Sequence, residues 1–165
     1  MARRDASGPA TLSVLDRLLD DDPKNSAEVP LTRAHSLRKL KEGLRRDLEW
    51  LLNTRRTIVP APDSARETVR SVYHYGCADI SSRSVLSSQD HNDLVREMEL
   101  ALALFEPRLK RIKVRMEPLA DNSRMLRFVI DGLLNLDPAP EPVRFDTVLE
   151  LGKGEYEVRG EDGAR

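Results

Sequence analysis

The spacing of hydrophobic residues along this chain changes once, and the change falls at Glu106-Pro107-Arg108. Before it, apolar residues recur at helical steps. Leu37, Leu40, Leu44, Leu48, Leu51 and Leu52 share one face and predict a long helix over 34–53. Leu94, Met98, Ala101, Leu102 and Phe105 predict a second over 91–105, and Leu100 and Leu104 make its last turns apolar almost all round, the mark of a helix buried on most sides. After the change the pattern alternates. Ile112, Val114 and Met116 oppose Arg111, Lys113 and Arg115, which predicts a strand over 111–116. Further strands are expected over 125–136 and 143–151. Gly152-Lys153-Gly154 then forms a hairpin loop into a short return strand carrying Tyr156 and Val158. Pro107 has no amide hydrogen and disfavours the α conformation in the residue before it, so the helix should stop near Phe105 and the chain turn directly into a strand.

Two shorter pieces precede the second long helix. Leu12, Leu15, Leu18 and Leu19 lie on one face of a helix of about two turns, with Ser13 and Asp16 spaced like a capping box. A helix that short is marginal unless its apolar face docks, either on its own domain or in a partner's groove. Val69, Val72 and Tyr73 fit a helical face over 65–75, although the β-branched content leaves a strand open. A short helix ending at Gly76 is expected. Gly43, inside the first long helix, marks a close packing point, and Arg55 and Arg56 suit the negative end of that helix.

Helices first and an antiparallel sheet second give an α+β domain: N-terminal helices and a central core helix packed on a small antiparallel sheet of three to four strands. Residues 1–30 read as a flexible N-terminal segment carrying the short amphipathic helix, 31–160 as a single α+β domain, and 161–165 as a polar tail. The turn-rich stretch Asp20 to Pro30 is the linker, Asp79 to Ser88 is Ser-rich and irregular, and Pro118 with Asp121 to Ser123 places a turn between the first two strands.

Composition narrows the function classes. The 27 basic and 28 acidic residues nearly cancel, which gives no electrostatic reason to expect nucleic acid or an anionic membrane as main partner. Three Phe, three Tyr and one Trp supply few stacking platforms. The basic row Arg111, Lys113, Arg115 reads as the solvated face of an antiparallel strand, where it also discourages edge pairing. Cys77 is the single cysteine, which excludes an internal disulfide and a Cys-based zinc site and suits a reducing compartment. It reads as a packed thiol. The positive N-terminus has no apolar run behind it, so neither a signal peptide nor a spanning helix is expected, and the chain should be cytoplasmic.

Enzymatic signals are weak. The chain carries no GxGxxG, Walker loop, HExxH or GxSxG. His35, His74 and His91 have no ligand spacing, and no cofactor is expected. Glycoside cleavage needs a carboxyl acid in a cleft. Glu106 stands next to the cation Arg108, the opposite surroundings. The local reading of Glu106-Pro107-Arg108 is a helix stop with an ion pair. The contact reading has Arg108 present its planar fork to a partner, with Glu106 holding it.

Five stretches in order carry a resemblance: Ser13 to Leu18, Leu44 to Arg56, Ser71 to Gly76, Phe105 to Leu109 and Phe145 to Leu149. Together they resemble the TssE family, the small baseplate subunits of bacterial type VI secretion systems, related to the lysozyme-like baseplate wedge proteins of contractile-tailed phages. His74 departs from the Asn expected there. The resemblance implies a non-enzymatic structural subunit, and its alternative is the peptidoglycan hydrolase of the older label. It implies a place in the baseplate at the inner-membrane complex. The partners implied are TssF and TssG, with TssK and the sheath subunits TssB and TssC as further neighbours; neither nucleic acid nor direct membrane insertion is implied. It maps the family's Glu-Pro-Arg signature onto Glu106, Pro107 and Arg108. The expected partner contacts are these three with Leu15 and Leu18 of the N-terminal helix.

Overall fold

A computed structural model describes residues 8–19, 24, 32–62, 64–79, 88–117 and 125–160. The expected linker over 20–30, the Ser-rich stretch, the turn residues before the second strand and the polar tail fall wholly or largely outside them. Helices α1 (Val14–Leu18), α2 (Arg33–Asn53) and α3 (Ser88–Phe105) precede strands β1 (Leu109–Glu117), β2 (Met125–Leu134), β3 (Glu141–Glu150) and β4 (Glu155–Gly160). The strands form one antiparallel meander in the order β1-β2-β3-β4, so the class is α+β, as the sequence predicts.

One face of the sheet is the core. Val114, Phe128, Ile130, Leu134, Val143, Phe145, Leu149 and Val158 are buried there against α2 and α3. Helix α2 starts at Thr32, whose hydroxyl accepts from the His35 amide at 3.3 Å. Its Leu40, Leu44, Leu48, Leu51 and Leu52 are at most 3% exposed, and such a side chain contributes about 1.5–3 kcal/mol by leaving water. Helix α3 lies against β1 and α2 against β4.

Both edges of the sheet are dressed by helix side chains. Asn53 copies a neighbouring strand, donating to the Tyr156 carbonyl and accepting from its amide, each at 2.8 Å. One and two turns earlier, Glu49 accepts from the Val158 amide at 3.3 Å and Arg45 donates to its carbonyl at 3.1 Å. On the other edge, Glu99 of α3 accepts from the Val114 amide at 2.9 Å. The solvent face is a lattice of opposite charges. Asp131 accepts from Arg144 at 2.8 Å and from Arg115 at 2.5 Å, and Arg127 lies 3.1 Å from Asp146.

Four expectations need correction. The stretch 65–75 is not a helix but two 3-10 turns, Thr68–Arg70 and Val72–His74, each closed by local bonds; three valine and threonine side chains resist a full helix there. Helix α3 is not buried on most sides: Leu100 is 64% and Leu104 39% exposed, because only its 94–98–101–102 stripe meets the sheet and α2. Strand β1 begins two residues early, at Leu109. A bulge between Lys110 and Lys113, with Arg111 at φ 51°, inserts one residue and turns both Leu109 and Val114 inward. Arg55 does not close α2. Thr54 does, its amide and hydroxyl both reaching the Trp50 carbonyl, while Arg55 pairs with Asp79 at 3.2 Å.

Candidate functional site

The corner between α3 and β1 is built by its own three residues. The Glu106 amide closes the last turn of α3 on the Leu102 carbonyl at 2.9 Å. Exposed Pro107 ends the helix, and the Leu109 amide returns to the Glu106 carbonyl at 3.1 Å. The Asn135 amide then donates to the Arg108 carbonyl at 2.8 Å, tying the corner to the end of β2. Within this turn Arg108 folds back on Glu106. Its Nε donates to Oε1 and its Nη2 to Oε2, both at 2.6 Å, the fork-on-carboxylate geometry that makes such pairs strong. The Arg108 amide adds a 3.3 Å bond to Oε1.

The pair is not an exposed one. Glu106 is 6% exposed and the Arg108 side chain 25%. It also extends further than two residues. Arg108 Nη2 donates to Asp47 of α2 at 2.7 Å, Asp47 accepts from Arg46 at 2.9 Å, and Arg46 Nη2 donates to Asp16 of α1 at 2.9 Å. Ser13 Oγ donates to the other Asp16 oxygen at 2.5 Å. Three carboxylates and two guanidiniums thus alternate from α1, across α2, to the corner.

The electrostatics follow from this alternation. The hydrogen bond to Glu106 raises the Arg108 pKa most; burial opposes it, and Asp47 adds to the rise. Burial pushes the Asp16 carboxyl up, but bonds from Ser13 and Arg46 and the charges of Arg46 and Arg108 bring it below the usual value. Tyr75 stands beside the network with its ring edge-on to Phe105 at 5.3 Å, and burial, Asp47 and Glu106 raise its phenol. Burial, helped by Glu97, pushes the Cys77 thiol up to about 12, so it is an inert packed thiol.

Helix α1 sits on α2 through polar groups. The Asp16 carboxylate lies against Gly43, where an added Cβ would meet Oδ2 at 2.6 Å, and this is the close approach the glycine permits. The Ala10 amide donates to buried Ser36 at 2.8 Å, while Ala10 and Leu12 pack against the core. The apolar side chains of α1 point the other way: Leu15 is 41% and Leu18 77% exposed. Trp50, 53% exposed, stands on the same face of α2 beneath the Arg46 guanidinium, 5.0 Å from its ring.

Glu106 and Arg108 are therefore in direct contact, Pro107 shapes their turn, and Leu15 and Leu18 stand on the helix at the far end of the same network. Sequence reasoning missed Asp47, Arg46 and Asp16 as members. Asp16 was visible only as a cap, and nothing in the sequence links position 47 to position 108. The arrangement has little to offer catalysis. Both Glu106 oxygens accept from Arg108, and two surface cavities among the described residues, of about 440 and 800 Å³, are lined by other residues. Among the described residues no group of His, Cys, Asp or Glu is placed to hold a metal ion, and no helix is long and apolar enough to cross a membrane. What the corner does offer is the Arg108 Nη1 group, buried and without an acceptor among the described residues.

Compared with known proteins, the chain matches the family described as baseplate wedge protein gp25 over residues 38–139, a span holding Asp47 and the whole corner. No curated protein matches it.

Proposed function

This chain belongs to the baseplate wedge protein gp25 family, and on that premise we propose that it is the TssE subunit of a type VI secretion baseplate. In this reading it is a structural part, held among TssF and TssG with TssK nearby, on the cytoplasmic side of the inner-membrane complex. It helps nucleate the contractile sheath of TssB and TssC.

The observation that carries the proposal is the corner itself. Arg108 is fixed by Glu106 and Asp47 next to exposed Pro107, its side chain still one quarter exposed, so a partner docking at this turn meets a surface whose geometry is already set. A partner meeting the exposed part of the Arg108 side chain finds a group whose side-chain entropy is already spent on the fold, which favours tight contact. Leu15 and Leu18, on the helix joined to the same network, supply the apolar part of the contact. Strand addition on β4 is disfavoured in this reading, because Asn53, Glu49 and Arg45 already use that edge.

The test is Arg108→Ala and Arg108→Lys in cells carrying the rest of the apparatus, with a fluorescent sheath subunit. The reading expects Ala to fold with reduced stability, because buried Glu106 loses its cation, and to give no sheath assembly even when expression restores wild-type abundance of folded subunit. Lys, which keeps charge but loses the fork, should rescue poorly. Normal sheaths in both strains would overturn it. Glycan cleavage is checked separately by incubating purified chain with peptidoglycan, where no turnover is expected.

A further inference from the structure

We propose that the segment between α2 and α3, over 54–77, is a second docking surface, and that it takes a protein partner presenting an apolar depression rimmed by carboxylates. The proposal rests on the baseplate reading only for where the partner is sought.

The segment is long for a connection without regular structure, and such loops are commonly functional. It is also held in shape. The Cys77 amide donates to the Thr54 carbonyl and the Arg56 amide to the Cys77 carbonyl, both at 2.8 Å, which closes the base of the loop. Gly76 makes this closure possible: its φ is +109°, and a Cβ would collide with the Thr54 carbonyl. Tyr75 anchors the returning limb on Phe105. Further out, Tyr73 Oη donates to the Val59 carbonyl at 3.2 Å and the Ala61 amide to His74 Nε2 at 3.3 Å, so the two limbs are clasped side by side.

What the clasped limbs display is apolar. Ile58 is 93%, Val72 90% and Val59 64% exposed, with Val69 and Tyr73 beside them. In a chain that is 33% charged, five large apolar side chains exposed on two limbs joined by the Tyr73–Val59 bond mark an interaction site rather than a random surface. The backbone that carries them is clasped, so little backbone entropy remains to be lost on docking.

Charge selects the partner. Exposed Arg56, Arg66 and Arg70 lie within three residues of these side chains along the chain, and the loop sequence sets only Asp63 and Glu67 against them, Asp79 beyond it being paired with Arg55. An apolar surface with an excess of neighbouring arginines complements an apolar depression rimmed by carboxylates. A lipid surface fits less well. The described loop holds no Trp, Phe or Lys, its most exposed apolar side chains are short and β-branched, and Tyr73 spends its hydroxyl on the Val59 carbonyl. The patch is separate from the corner in chemistry yet joined to it, since Tyr75 follows His74 and stands beside Glu106 and Asp47.

The experiment uses full-length chain, tagged and assembled with its cognate wedge subunits, in three forms: wild type, Arg108→Ala, and the pair Ile58→Asp with Val72→Asp. Both loop positions are almost fully exposed, so the melting temperature should hold; Ile58→Ser with Val72→Ser serves as the milder second variant. The expected result is at least a tenfold loss of incorporation for the Asp pair and a smaller loss for the Ser pair, with weaker binding as salt rises. Benzoylphenylalanine placed at position 58 or 72 should cross-link to an acidic, apolar segment of a wedge subunit. Normal incorporation of both loop variants while Arg108→Ala fails would overturn this inference alone. If all forms fail to bind any wedge subunit, the baseplate reading fails instead, and this partner with it. Cross-linking to a second copy of the chain, or retention on phosphatidylglycerol vesicles, would also overturn the proposal.

Discussion

Gly43→Ala isolates the seat of α1. In a free helix this change stabilises by about 0.8–1 kcal/mol, since Ala leads and Gly trails the helix scale. In this protein the new methyl would stand 2.6 Å from Asp16 Oδ2, so the carboxylate must move. Moving it strains or breaks the 2.9 Å bond to Arg46, whose partners are only 11% and 24% exposed. Charge-assisted bonds of that burial contribute about 1–2 kcal/mol, between exposed pairs and buried ones. The two effects oppose each other, so the single variant should be neutral or destabilised by up to about 1 kcal/mol. In an Asp16→Ala background the obstacle is gone, and the same Gly43→Ala should stabilise by about 1 kcal/mol. The coupling in the double-mutant cycle is then about 1–2 kcal/mol. Urea unfolding followed by circular dichroism measures it. Trp50, the single tryptophan, gives a local signal as Arg46 leaves its ring. Equal stabilisation in both backgrounds, with unchanged tryptophan emission, would show that α1 does not rest on α2 at this point.

Asp16 also sets an acid limb. Its folded pKa is depressed, so its contribution is whole above the ordinary value of 3.8 and is lost as pH falls through the lower folded value. Asp16→Asn should flatten the stability profile below about pH 4, and an unchanged acid limb would contradict the assignment. Thr147 is fully buried in the sheet with its hydroxyl unpartnered among the described residues, so the near-isosteric Thr147→Val should raise stability by about 1 kcal/mol in urea; a loss would mean that the hydroxyl is bonded. Cys77, its thiol pushed up to about 12, should resist maleimide at pH 8 until denaturant unfolds the chain. Rapid labelling of the native protein would refute its burial.

The sequence was most readable where one period ran long enough. The leucine stripe of α2 and the alternation in β2 and β3 each repeat over several turns or pairs, so these elements could be placed along the chain and the buried face of α2 named residue by residue. It misled where tertiary contact decides. The last turns of α3 are apolar all round, but one sheet and one neighbouring helix can cover only one side, and Leu100 and Leu104 are left out. In 65–75, single turns closed by Ser71 and Thr68 replace a helix that the spacing alone would allow. The corner was found because Pro107 is a local signal. Its partners were not, because Asp47 meets Arg108 across 61 residues and no pattern of period two or 3.6 records such a meeting.

That last failure bears on how the corner works. A helix stop with a local pair would tolerate any carboxylate near any cation. Here the pair is placed by three constraints at once. Pro107 ends α3 in the one turn that brings Arg108 back to Glu106. The bulge at Arg111 then lets β1 enter the sheet with Leu109 and Val114 both inward, so the corner is pinned to the core on its strand side. Asp47 pins it to α2, and through Arg46 to α1. A displacement of α1, α2 or β1 would each shift the Arg108 side chain and the turn at Pro107. The corner is thus a point at which three elements must agree before Pro107 and Arg108 take their places, and in the proposed role that agreement is what would fix how the subunit meets its neighbours.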